Sequence, residues 1–122
     1  MDLLEIYADE NGETHFRTSA LDFQARDFAP PSMPVPVTAD RPASGALFLQ
    51  APVGWDDAFH PTPRLQFAVL LRGRARITVS DGESMEISAG SFFLLNDAAS
   101  KGHLTTVLPG EDALFMLVGL DG

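Results

Sequence analysis

The sequence predicts an all-β protein, a sandwich or barrel built from about nine short strands. Three observations predict it. Short runs alternate apolar and polar residues, as in Ala75, Ile77 and Val79 against Arg74, Arg76 and Thr78. Tight-turn dipeptides, Asn11-Gly12 and Asp81-Gly82, separate such runs, and both suit hairpins because their residues tolerate positive φ. No segment carries sustained helical periodicity with caps.

In chain order, residues 3–7 alternate weakly and meet the Asn11-Gly12 turn, and Thr14 to Phe23 form a returning strand. His15 follows this turn directly and reads as a surface residue. Residues 29–42 hold five of the nine prolines. Pro30-Pro31-Ser32-Met33-Pro34-Val35-Pro36 suits neither a helix nor an interior strand, because proline lacks the amide donor. It is an extended arm, with Met33, Val35 and Val37 as apolar handles. Two units follow: residues 1–45 as hairpin plus arm, and residues 46–122 as the barrel. Ala46 to Gln50 is a short strand, and Trp55, the one tryptophan, is either a pocket wall or a core or interface aromatic. Phe67 to Leu71 is an apolar strand ending at Gly73. Met85 and Ile87 lie on the strand after the second turn. Ser91 to Leu95 is apolar on both faces, as a strand covered on both sides is. A polar loop from Asn96 to Gly102 leads to His103, and residues 104–108 and 113–118 complete the strands.

With 122 residues, 45% hydrophobic and 20% charged, the chain suits one globular domain with a core of its own. The formal net charge of −9 and pI near 4.5 disfavour nucleic acid and anionic membranes as partners. Cysteine is absent, which excludes thiolate catalysis, disulfides and zinc–sulfur sites. The N-terminus lacks a signal-peptide pattern, and no apolar run reaches the roughly 20 residues of a spanning helix, so a cytoplasmic location is expected.

The chemistry-bearing residues gather around one stretch. His60, Thr62, Arg64 and Gln66 fall at even spacings, so in an extended chain they share one face. That face either lines a pocket or meets water at a sheet edge, which Pro61 and Pro63 would suit. His60, Gln66 and His103 could offer two imidazole nitrogens and an amide oxygen to a divalent ion, leaving positions open as catalytic metal sites do. All three donors are neutral. Asp56 and Asp57 are adjacent and point apart on a strand, a poor acid pair. Arg72, Arg74 and Arg76 read as the solvated face of a hairpin. There is no G-x-S-x-G elbow, phosphate-binding glycine loop or H-E-x-x-H.

These residues resemble the two motifs of the cupin superfamily. His60 stands at the first histidine of H-x-H, three or four residues, E, six residues, G; Gly73 stands at its glycine, with six residues between it and Gln66. Gly90 resembles the start of the second motif and His103 its closing histidine. The chain looks closest to small single-domain bacterial cupins with W-x4-H-x-x-P-x-x-Q and D-x-x-x-K-G-H: Trp55, His60, Pro63 and Gln66 match the first, and Asp97, Lys101, Gly102 and His103 the second. The motif is degenerate. Thr62 replaces the second histidine, Gln66 the glutamate, and the loop before His103 is long.

The resemblance implies a double-stranded β-helix, the cupin jelly-roll barrel, with an N-terminal hairpin and proline-rich arm. It implies a small-molecule-binding protein whose ligand residues are His60, Thr62, Arg64, Gln66 and His103. The alternative is a metal-dependent enzyme of dioxygenase or isomerase type, holding Zn, Ni, Fe or Mn on His60, Gln66 and His103. On either reading these side chains converge inside the barrel, flanked by Phe67, Phe93 or Phe115. A homodimer is expected, with the N-terminal arm as its pairing strand.

Overall fold

A computed structural model describes residues 1–55 and 58–121. The Asp56–Asp57 pair lies outside the described residues. These contain eleven strands and no helix: β1 (Asp2–Ala8), β2 (Thr14–Ala20), β3 (Gln24–Arg26), β4 (Val35–Val37), β5 (Ala43–Ala51), β6 (Gln66–Arg72), β7 (Arg74–Val79), β8 (Ser84–Ser88), β9 (Phe92–Asn96), β10 (His103–Val107) and β11 (Ala113–Leu120). No helix among the described residues is long and apolar enough to cross a membrane.

Six strands form one sheet in the order β2-β1-β9-β6-β11-β5, and β10-β7-β8 form a second. All pairings in these sheets are antiparallel except β1 with β9. The alternation seen in the sequence places the core. Ile6, Leu70, Phe93 and Phe115 of the large sheet meet Ile77, Val79 and Val107 of the small one in a single cluster. The opposite face of the large sheet carries a smaller cluster of Leu3, Leu94 and Leu120, against which Leu21, Leu65, Phe67 and Phe92 pack. Apolar residues on both faces explain why β9 reads as a continuous hydrophobic run. The result is the jelly-roll sandwich that the strand pattern and motif resemblance predict.

The N-terminal segment differs in detail from its expected form. The returning strand ends at Ala20, and the hairpin joins the large sheet through β1, whose Leu4 to Tyr7 pair with Phe93 to Asn96. Within the arm, Val35–Val37 pairs with Gln24–Arg26 as a separate two-stranded ribbon. Pro36 is tolerated there because a two-stranded ribbon has no interior position, and each strand needs donors on one side only. β5 is longer than Ala46 to Gln50 and begins at Ala43, ahead of the expected start of the barrel.

The hairpin is also clamped at its turn. Thr14 is fully buried; its amide donates to Ser80 Oγ (2.8 Å) and its hydroxyl to the Gly102 carbonyl (2.7 Å). Beside it His15 bridges two carboxylates, Nε2 to Asp9 (2.8 Å) and Nδ1 to Asp81 (2.7 Å). The Asp9 contact and then the Asp81 contact raise its pKa above the usual 6.5. His15 is therefore half-exposed, as its position after the turn suggests, but it ties the β1–β2 turn to the β7–β8 turn.

Two outcomes follow. A raised folded-state pKa stabilises fully below the unfolded value and is lost as pH rises through the folded one. His15→Ala should thus lower Tm most at about pH 6, with the gap to wild type narrowing as pH is raised well past ~6.5, read by thermal denaturation in a pH series. In the core, Leu70→Ala removes a side chain with no solvent exposure and should cost about 2–5 kcal/mol in chemical denaturation.

Candidate functional site

The segment leading into β6 is not the extended strand its even spacing suggests. β6 begins at Gln66, and residues 63–65 bend, with Pro61 and Pro63 denying the ladder two donors. The bend is closed by side chains. Thr62 Oγ1 donates to the Arg64 carbonyl (2.7 Å) and accepts from Gln66 Nε2 (3.1 Å). Thr62 and Gln66 are buried, Arg64 half-buried. The polar row thus faces inward, through a fold-back rather than a pleat.

At the start of this bend, His60 forms an isolated two-way bridge with His103 on β10: each backbone amide donates to the other's carbonyl at 3.0 Å. The two imidazoles consequently stand side by side, ring centres 5.0 Å apart and tilted by 56°. Gly102 permits this approach. Its φ is +83°, and a Cβ there would overlap the His60 backbone.

His103 is buried, and its Nδ1 lies 2.7 Å from Oδ2 of the wholly buried Asp97. In the neutral ring the Nδ1–H donates to this carboxylate and Nε2 keeps its lone pair. His60 Nδ1 lies 3.4 Å from the Pro61 carbonyl, and its Nε2 is buried with no hydrogen-bond partner among the described residues. Among the described residues Asp97 Oδ1 is likewise unpartnered. Buried polar atoms are normally paired, so these two orphans mark unfinished chemistry.

The two histidines border a cavity of about 570 Å³ between the sheets, with Asp97 behind His103. Leu47 and Leu49 of β5, Phe115 and Leu117 of β11, Ala68 of β6, Phe93 and Leu95 of β9, and Trp55 supply its apolar lining. His60, Thr62, Arg64, Gln66, His103 and Thr105 supply the polar part. The structure therefore brings all five candidate ligand residues to one cavity, with Phe93 and Phe115 beside them. Phe67 is the correction. It follows Gln66 directly on β6, so period-two alternation sends it to the other face, where the Arg41 guanidinium lies 5.4 Å from its ring. Trp55 is a pocket wall. Arg72, Arg74 and Arg76 are exposed; Arg72 and Arg76 lie near Glu111 and Glu86, as a solvated hairpin face does. Asp97, central to the site, carried no assigned role in the sequence; its signal was the D-x-x-x-K-G-H spacing.

For a metal, the donors present are two imidazoles and the Gln66 amide oxygen. Among the described residues, no three His, Cys, Asp or Glu side chains gather as a metal-binding group. A carboxylate behind an imidazole, as Asp97 stands behind His103, is the arrangement that orients a histidine ligand. The unpartnered His60 Nε2 also fits a metal-bound nitrogen. The lack of an anionic ligand does not.

Two sheets around one cavity, with both motif segments meeting at its polar end, define a cupin-like jelly roll. One solved structure shares the fold at a TM-score above 0.5, and two more are similar in part. Protein NMB1881 from Neisseria meningitidis aligns with a TM-score of 0.51 at 18% identity, over 62% of this chain and 72% of that one. The conserved SPY1581 protein of unknown function from Streptococcus pyogenes gives 0.49 at 19% identity over 70% and 72%. The cupin domain of Schizosaccharomyces pombe Cnp3 gives 0.48 at 13% identity over 98% and 84%. No family model and no curated protein matches the chain.

Two substitutions probe this geometry. Asp97→Ala leaves the His103 N–H buried without its acceptor and should cost about 1–3 kcal/mol in urea denaturation. Gly102→Ala forces a side chain into positive φ against His60 and should destabilise by at least about 1–3 kcal/mol, with loss of the amide-exchange protection of His60 and His103.

Proposed function

We propose that this protein binds a small organic molecule in the cavity between its sheets. One observation carries the reading: about 570 Å³ of space, walled by leucines and aromatics, with its polar groups collected at the His60–His103 bridge. Ligand pockets of ordinary size have this composition, a mostly apolar lining with a few placed polar groups. His103 is fixed by Asp97, and Gln66 by Thr62, so the polar groups are held before any ligand arrives.

A second reading, metal-dependent catalysis, is favoured by the orphaned His60 Nε2 beside a carboxylate-backed His103. His60, His103 and Gln66 would hold the ion, which would supply Lewis-acid or redox chemistry to a molecule in the cavity. The neutral donor set makes it the weaker of the two.

The test separates them. Metal-free, tag-free protein screened by thermal shift against small apolar and amphiphilic compounds should give hits, with about 2.7 kcal/mol of stabilisation at a hundredfold excess over Kd. Ala68→Phe, which fills the cavity from the β6 wall, should remove the response while the circular dichroism spectrum stays that of a β protein. Calorimetric titration with Zn²⁺, Ni²⁺, Fe²⁺ or Mn²⁺ showing stoichiometric uptake that His103→Ala abolishes would favour the second reading; no uptake would end it.

A further inference from the structure

Resting on the binding reading, we infer that the ligand is an organic monocarboxylate with an apolar body, and that Arg64 receives its carboxylate. Among the described residues, Arg64 is the sole arginine or lysine lining the cavity. No carboxylate pairs with it among the described residues; its nearest side-chain partner is Ser44 Oγ at 3.4 Å from a guanidinium nitrogen. Arg64 lies half-buried at the cavity of a protein of net charge −9.

Its seat is built. Gly119 on β11 pairs with Gly45 on β5 and with Gln66 on β6, so two glycines and a glutamine form one row across the sheet. Gly45 continues the Leu47 and Leu49 positions of β5, and Gly119 continues the Phe115 and Leu117 positions of β11, all four lining the cavity. The row thus ends the apolar wall in two residues with no side chain. The guanidinium lies in that gap: a Cβ on Gly119 would overlap its central carbon and two nitrogens, and one on Gly45 would stand 4.0 Å from it. A planar fork laid against backbone at the edge of an apolar cavity is poised for a bidentate acid.

A carboxylate fits better than a phosphate. One cation, no helix N-terminus among the described residues and an acidic protein favour a singly charged head group over a doubly charged one. The apolar lining takes the remainder of the molecule.

The experiment uses isothermal titration of the full chain with phenylacetate, 4-phenylbutanoate and 4-methylpentanoate, their neutral amides, and phenyl phosphate. The acids should bind at least about tenfold tighter than their amides, weakening with added salt, and the phosphate should not exceed the acids. Arg64→Gln should abolish that preference while leaving amide binding in place; Arg64→Lys should retain part of it. Gly119→Ala, which displaces the guanidinium without touching its charge, should reduce acid binding at least tenfold and leave the amides alone. Equal binding of acids and amides, or a preference for acids that survives Arg64→Gln, overturns this inference and leaves the binding reading standing. Binding of neither class overturns both.

Discussion

The site depends on a pair of hydrogen bonds that contain no side-chain atoms. His60 and His103 exchange backbone amide–carbonyl bonds, and Gly102 lets the strands come near enough to do so. That bridge fixes the start of the bend before β6 against the start of β10. Everything polar in the cavity follows from it: where the imidazoles stand, where Thr62 and Gln66 fold back, and where Arg64 is released to cross the glycine row.

The bridge is itself supported from the far end of the chain. Thr14 of the N-terminal hairpin donates to the Gly102 carbonyl, and the Gly12 carbonyl accepts from the Lys101 amide. Lys101 also lies 3.1 Å from Glu13. The loop that carries Asp97 to His103 is thus pinned by residues 12–14. A hairpin that looked separable in the sequence is a buttress of the site, and its parallel pairing of β1 with β9 continues the same sheet that walls the cavity.

The strands from β6 to β11 were legible because each buries one face or both, and burial writes itself as alternation or as an apolar run. The ribbon of β3 and β4 was not, because Val35-Pro36-Val37 carries a residue that normally forbids strands and buries almost nothing. His60, Gln66 and His103 were legible through motif spacing. Their manner of meeting was not. Even spacing implies a pleat only where the chain is extended, and Pro61 and Pro63 bend it here. The same alternation that located Gln66 excluded Phe67 from the cavity, since neighbours on a strand face opposite ways. The seat of Arg64 had no sequence signal: Gly45 and Gly119 acquire meaning only when β5 and β11 lie side by side.

The cavity has walls of unequal stiffness. Its histidine side is held by the His60–His103 bridge and by residues 12–14, while Leu47 and Leu49 sit on β5, an edge strand that among the described residues pairs in the sheet with β11 alone. An edge strand gives way at less expense than a central one, because a single ladder holds it. On the proposed binding function, discrimination would be sharp for the head of a guest and lenient for the girth of its tail, the behaviour of a receptor that recognises a chemical class rather than one compound.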